Sequence, residues 1–207
     1  MLFGIIGFLF LVYVNNKRSE DARSEANLII ENALSKKELK DLNNILDKLK
    51  NLKHKEWAGY VHGHNYGGKE GLNLQQIYEA GKPFEKLIDH PSWINHMLHF
   101  VGGKGTFDHL HGPLFIDENF ANIRGPGEAI GIHSGNPEGL QRNHYRYQNG
   151  KFHCSQVNIL LALTHIGPGD GGTVVIPASH KSNIEHPEFR ENKMLKGGKV
   201  SSADGMT

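Results

Sequence analysis

The first amphipathic segment of the chain begins at Ser35. This serine stands three residues before Glu38, the spacing of a capping box, in which the two side chains satisfy backbone N–H groups at a helix start. Leucine and isoleucine then recur at the spacing of one helix face, at Leu39, Leu42, Ile45, Leu46 and Leu49. The pattern predicts an amphipathic helix that runs to about Lys50.

The stretch that follows predicts loops and a second helix. Residues 51–81 are rich in aromatic, glycine and histidine residues, and we expect loops there with one short helix near residues 74–80. A further helix is predicted from Ile94 to about Phe100, because Gly102 stands where a glycine ends a helix.

Short strands are predicted between residues 106 and 176. Turn-forming clusters separate them at residues 125–127, 135–137 and 148–150. This turn frequency favours a sandwich or a barrel. Within the strand predicted at residues 156–164, one face carries Gln156, Asn158, Leu160, Ala162 and Thr164. The other face is apolar and predicts core packing for Val157, Ile159, Leu161 and Leu163.

Composition and charge exclude several classes of protein. With 23 basic and 22 acidic residues the formal net charge is +1, and no long basic run favours nucleic acid or an anionic membrane. The single cysteine, Cys154, excludes an intrachain disulfide and a multi-thiolate zinc site, which favours a reducing compartment and a cytoplasmic location. Fourteen histidines supply many candidate metal ligands.

Residues 1–14 form an apolar run that polar residues follow. The run is shorter than the roughly 20 residues of a transmembrane helix, and no flanking signal marks a secretory leader. An additional buried segment or a start-site artefact is therefore favoured over a membrane anchor formed by residues 1–14. We predict an apolar segment with a polar linker at residues 1–26 and one domain at residues 27–207.

Residues 162–183 carry the most specific motif of the chain. They read ALTHIGPGDGGTVVIPASHKSN and predict a strand, a glycine-rich turn, a second strand and a polar loop. This wording resembles the phytanoyl-CoA dioxygenase family of iron(II)/2-oxoglutarate oxygenases, as do LIDHPSW at residues 87–93 and the β-leaning residues 27–34. The resemblance implies a mainly β fold, a double-stranded β-helix (a cupin-like jelly roll) with flanking N-terminal helices, incomplete at its C-terminus.

The resemblance also implies an iron(II) site. Two histidines and one carboxylate hold the metal in such enzymes, and three positions stay open for 2-oxoglutarate and O₂. His133 is the best candidate for the first histidine, but Gly135 stands where the family has Asp or Glu. Three interpretations stay open: Glu138 supplies the carboxylate, water or halide replaces it, or the site has been lost. His144 is the alternative first ligand, although Arg146 at the carboxylate position would repel the ion.

Gln156, Asn158 and Thr164 are the candidate 2-oxoglutarate residues. They either line the pocket of 2-oxoglutarate or substrate, or satisfy backbone groups at a barrel mouth. The second metal histidine and the basic residue that anchors 2-oxoglutarate are expected beyond residue 207. The 207-residue chain is therefore predicted to be a truncated copy that expresses poorly and turns over no 2-oxoglutarate by itself.

The implied function is a dioxygenase that hydroxylates a small organic or acyl substrate with O₂ and releases succinate and CO₂. The alternative is a non-catalytic jelly-roll binding domain, or a decayed oxygenase without a complete metal site. A third class is a zinc- or nickel-binding protein built on the His-x-His pairs at residues 62–64 and 109–111. Asp170, flanked by glycines, is predicted to be a turn residue. The substrate is not assigned, because a fold does not choose one.

Overall fold

The computed structural model describes residues 28–65, 70–101, 112, 114–128, 149–150, 154, 156–167 and 170–173, and the backbone of six further strands. The described helices are α1 (Lys36–Leu49), α2 (Lys82–Glu85), α3 (Ile94–Phe100) and a 3-10 helix (Ile77–Ala80). The described strands are β1 (Phe3–Ile6), β2 (Val12–Tyr13), β3 (Leu28–Ile29), β4 (Trp57–Ala58), β5 (Val61–His64), β6 (Leu72–Gln75), β7 (Phe120–Arg124), β8 (Arg146–Gln148), β9 (Lys151–His153), β10 (Leu161–Ala162), β11 (Val174–Val175) and β12 (Ser201–Ser202). Among the residues described, none of the helices combines the length and the apolar character of a membrane span.

Helix α1 begins with the predicted capping box. The Ser35 hydroxyl accepts a hydrogen bond from the Glu38 backbone N–H at 3.2 Å. The Glu38 carboxylate in turn accepts from the Ser35 backbone N–H at 2.8 Å and from its hydroxyl at 2.6 Å. These bonds, with a smaller contribution from His90, lower the pKa of Glu38 to about 2. Leu42 and Leu46 are buried, which confirms the predicted amphipathic helix.

Six strands form an antiparallel sheet in the order β10-β1-β7-β6-β5-β4. The backbone of β1, which belongs to the apolar N-terminal run, pairs with both β7 and β10. The other described strands pair two by two, β2 with β3, β8 with β9 and β11 with β12. A mainly antiparallel sheet with few helices agrees with the predicted mainly β class, whereas the double-stranded β-helix topology stays a prediction.

Residues 51–81 differ from the predicted loops. They contain strands β4, β5 and β6, and the helical turn begins at Ile77 instead of Leu74. Leu74 alternates with the polar residues of β6 and is buried, so it belongs to the strand. Gln76 then adopts a left-handed backbone with φ of 57°, which separates the strand from the 3-10 helix.

The predicted second helix and one predicted turn are confirmed, but one predicted strand is shorter than expected. Helix α3 spans the expected residues. Asn149 and Gly150 have φ of 53° and 76° in the β8–β9 hairpin, where a two-residue turn favours positive φ. Of the strand predicted at residues 156–164, only Leu161–Ala162 forms a described ladder.

The helices cover one face of the sheet with a hydrophobic core. The buried helix-side residues are Leu42, Leu46, Phe84, Leu87, Trp93 and Met97. The turn before α3 is fastened by side chains of the LIDHPSW motif: Trp93 Nε1 donates to the Leu87 carbonyl at 3.1 Å, and Ser92 Oγ donates to the Ala33 carbonyl at 2.7 Å. The His90 ring stacks on Trp93 with the ring centroids 4.4 Å apart. The motif therefore joins α3 to the start of α1.

Replacement of Glu38 by glutamine is expected to weaken the acid dependence of stability. The pKa of Glu38 falls from 4.5 to about 2 on folding, so the ionised carboxylate stabilises the native state above about pH 4.5. That contribution is lost as the pH falls towards 2. Urea unfolding near neutral pH and near pH 3 should show a smaller loss of stability for Glu38→Gln than for wild type.

Glutamine also fits a capping box, so the helix start is retained in this variant. Glu79→Gln, which changes an exposed carboxylate on the 3-10 helix, is the matched control and should keep the wild-type acid dependence. If Glu38→Gln lost as much stability at low pH as the wild type, the dependence of stability on Glu38 ionisation would be contradicted.

Candidate functional site

The six-stranded sheet has an apolar face and a polar face. Directly opposed residues of antiparallel strands share a face, and successive residues alternate between faces. Leu74, Ala121 and Leu161 are buried in the helix-side core. The residues that alternate with this set form two cross-strand rows on the opposite, polar face: Trp57, His62, Gln75 and Phe120, and His64, Asn73 and Asn122.

Asn73 and Asn122 form a hydrogen-bonded pair on the polar face, and only 1% and 2% of their surfaces are exposed. Asn122 Nδ2 donates to the Glu70 carbonyl at 2.9 Å and to Asn73 Oδ1 at 3.0 Å. Because a backbone carbonyl only accepts hydrogen bonds, the contact with Glu70 fixes which end of Asn122 is the NH₂ group. That orientation in turn requires the oxygen of Asn73 to face it.

Two atoms of this pair, Asn73 Nδ2 and Asn122 Oδ1, have no hydrogen-bond partner within the described part of the structure. The third such buried side-chain atom among the described residues is Thr164 Oγ1. Thr164 lies at a bend two residues after the end of β10. Unpaired buried groups of this kind cost about 1–3 kcal/mol each, so each of them calls for a physical explanation.

The three candidate 2-oxoglutarate residues lie in the described chain. The apolar residues that alternate with them pack into or against the helix-side core, which confirms the predicted alternation: Val157, Ile159, Leu161 and Leu163. Gln156 and Asn158 are half-buried, and Gln156 Nε2 lies 3.5 Å from Asp117 Oδ2, at the outer limit of a hydrogen bond. The role of Gln156, Asn158 and Thr164 in binding 2-oxoglutarate stays a prediction.

The predicted metal ligands His133 and Glu138 lie outside the described residues, as does the alternative His144. Within the described ranges, no three histidine, cysteine, aspartate or glutamate side chains are grouped so that they could hold a metal ion. The iron ligands therefore stay predictions.

Ring contacts and close backbone packing account for the His-x-His pair at residues 62–64. The His62 ring lies 4.4 Å from the Trp57 ring, and the His64 ring lies 5.1 Å from the His54 ring. A Cβ atom on the intervening Gly63 would collide with the Lys53 carbonyl oxygen, so the close packing of the hairpin requires glycine. The pair at residues 109–111 lies outside the described residues.

Asp170 is a turn residue, as predicted. Its Oδ2 accepts a hydrogen bond from the Gly167 N–H at 2.8 Å, and its own backbone N–H donates to the Gly167 carbonyl at 3.1 Å. Its carboxylate therefore stabilises the glycine-rich turn.

Sequence reasoning missed Asn73 and Asn122. A signal was available at both positions, because each asparagine interrupts an apolar strand and asparagine is disfavoured in strands. Their pairing is set by the register of β6 and β7, which join residues separated by 49 positions in the chain.

Comparison with known proteins gives one match. The family model of phytanoyl-CoA dioxygenase (PhyH) matches residues 27–204, and so covers most of the chain and every described residue of the polar face. No curated protein matches the chain, and no solved structure matches it.

Replacing one asparagine of the pair is expected to lower the free energy of unfolding. Replacing both should lower it by less than the sum of the two single effects. Asn122→Leu leaves Asn73 with a buried, unpaired amide and should lower the free energy of unfolding by about 1–3 kcal/mol. Asn73→Leu combined with Asn122→Leu removes both polar partners at similar volume and should recover part of that loss.

A double-mutant cycle by urea unfolding measures this coupling. The exposed Asn95→Ala on α3 is the control and should change stability by no more than about 0.5 kcal/mol. If the two leucine substitutions changed the free energy of unfolding additively, an energetic coupling between the two amides would be contradicted.

Proposed function

The chain belongs to the phytanoyl-CoA dioxygenase family, and from that premise we propose that it is an iron(II)- and 2-oxoglutarate-dependent dioxygenase. The match over residues 27–204 carries this proposal. The family generally comprises oxygenases whose members typically use iron(II) and 2-oxoglutarate. The proposed reaction hydroxylates a small organic or acyl substrate with O₂ and releases succinate and CO₂.

The polar side chains of residues 156–164 support this proposal by their chemistry. A sheet buried by helices on one side needs no amides or hydroxyls on the other side for its stability, and unpaired ones lower that stability. Thr164 Oγ1 is buried without a described partner, so it fits a co-substrate carboxylate that accepts its hydrogen bond. Gln156 and Asn158 would add amide donors along the same segment and would orient 2-oxoglutarate.

We assign iron(II) binding to His133 and Glu138. Glu138 supplies the carboxylate ligand that the family carries at the position of Gly135. When bound, the metal and 2-oxoglutarate activate O₂ for oxidation of a C–H bond, which is chemistry that side chains do not supply. The residues of this chain hold the ion, orient the co-substrate and exclude water. We propose no nucleic-acid partner, because the chain carries 23 basic and 22 acidic residues.

The metal assignment is tested by anaerobic titration of the protein with iron(II) and 2-oxoglutarate. We expect a metal-to-ligand charge-transfer band that is lost in His133→Ala and in Glu138→Ala. Gly135→Asp, introduced into Glu138→Ala, should restore the band, because it supplies a carboxylate at the position where the family has one. His144→Ala is the matched control and should retain the band.

Each outcome decides between the candidate functions. A wild-type protein without the band, or without succinate formation above a protein-free reaction, would favour the non-catalytic binding domain. A band that survives in Glu138→Ala would assign the carboxylate to another residue. Metal binding that does not respond to 2-oxoglutarate would favour a histidine-based metal-binding protein.

A further inference from the structure

We propose that Arg124 is a binding residue for a carboxylate group that a small molecule brings to the polar face of the sheet. This inference rests on the proposed function, because 2-oxoglutarate and an organic-acid substrate are the two sources of such a carboxylate in an oxygenase of this kind. It adds the last residue of β7 to the candidate site and names the chemical group that this residue takes.

Arg124 lies on the polar face at the end of β7. It follows Ile123, which is buried in the helix-side core, and strand alternation therefore places Arg124 on the same face as Asn122. The Arg124 side chain is half-buried. A long cationic side chain in such a setting covers the protein surface with its methylene stem and keeps its charged end at the solvent boundary. A dissolved small molecule can therefore reach it.

Gly71 makes room for the stem of Arg124. This glycine directly precedes β6 and has a φ of 79°. A Cβ atom at its position would lie 2.8 Å from Arg124 Cγ and would collide with the Ile123 carbonyl oxygen. Glycine thus lets the Arg124 stem lie against the backbone that leads into β6. A stem that is already held by the sheet loses less conformational freedom when its charged end binds a ligand.

The guanidinium of Arg124 is a charged donor group without an acceptor in the described part of the protein. Among the described residues, none forms an ion pair with Arg124 or accepts a hydrogen bond from its side chain. Burial lowers the pKa of Arg124, and the charge of Glu128 partly offsets that shift, but arginine stays protonated. The planar fork of its N–H groups matches the two oxygens of one carboxylate, which can accept two parallel hydrogen bonds.

Glu128 favours a ligand group with a single negative charge. Its carboxylate accepts a hydrogen bond from the Gly125 N–H in the turn after β7, and its charge acts on Arg124 across that turn. A carboxylate brings one negative charge to Arg124. A phosphate dianion would bring a second charge, which Glu128 repels. The local charges therefore favour a carboxylate over a phosphate.

The Arg124 Nε–H resonance of ¹⁵N-labelled, metal-free protein reports on this role directly. Propionate is the probe for a carboxylate alone and 2-oxoglutarate is the probe for the co-substrate. We expect both to shift the resonance to saturation at millimolar concentrations, with a much smaller response to propionamide and to inorganic phosphate. At least tenfold tighter binding of 2-oxoglutarate than of propionate would identify the co-substrate as the source of the carboxylate. Similar affinities would identify the organic substrate.

Two substitutions should change the carboxylate affinity in opposite directions. Arg124→Lys keeps the charge but loses the planar fork, so it should weaken binding about tenfold, as measured on the backbone amides of β7. Glu128→Gln keeps an acceptor for the Gly125 N–H and removes the opposing charge, so it should tighten binding about threefold. Lys86→Gln removes an exposed charge just after α2 and is the control that should bind as wild type does.

Three results would overturn the carboxylate site. These are an absent response of the Arg124 resonance to both carboxylates, a response to phosphate as strong as that to propionate, and unchanged affinity in both Arg124→Lys and Glu128→Gln. The titration needs no iron, so its failure is distinguishable from failure of the proposed function. A lost carboxylate response overturns the role of Arg124, whereas a missing charge-transfer band overturns the proposed activity.

Discussion

The packing of α1 and of the segment around α2 and α3 against one face of the sheet is the interaction on which the rest of the structure depends. Phe84, Leu42 and Leu74 are fully buried in that contact. Because side chains alternate along a strand, burial of Leu74 and Ala121 on the helix side obliges Asn73 and Asn122 to occupy the other side. The hydrophobic core therefore determines which side chains lie on the polar face.

The same constraint protects the register of the sheet. A slip of one residue between β6 and β7 would turn the apolar residues of one strand outward and drive its asparagine into the core. It would also separate Asn122 from the Glu70 carbonyl and from Asn73. Hydrophobic burial and a short polar network thus favour one alignment, and the two contributions act on opposite faces of the same two strands.

Local signals explain how much of this could be predicted from the sequence. The capping box of Ser35 and Glu38 and the leucine spacing of α1 depend on residues a few positions apart, and both agree with the structure. The alternation of residues 157–163 was equally readable, since its apolar members pack on the core. By contrast, β4, β5 and β6 are two to four residues long and interrupted by turns, so they show too few periods to be recognised. Leu74 looked helical because nothing in its neighbours reveals the left-handed Gln76.

The pairing of Asn73 with Asn122 could not be predicted from local signals, because it depends on the register of two strands whose residues lie 49 positions apart in the chain. Asparagine is disfavoured in strands, and a buried amide with an unpaired group lowers stability. Both departures occur at Asn73 and Asn122. Departures from local preference concentrate at functional sites, where binding compensates for what folding loses. Since the helix-covered face of the same strands shows the ordinary apolar pattern, these departures are a property of one face and not of the strands themselves.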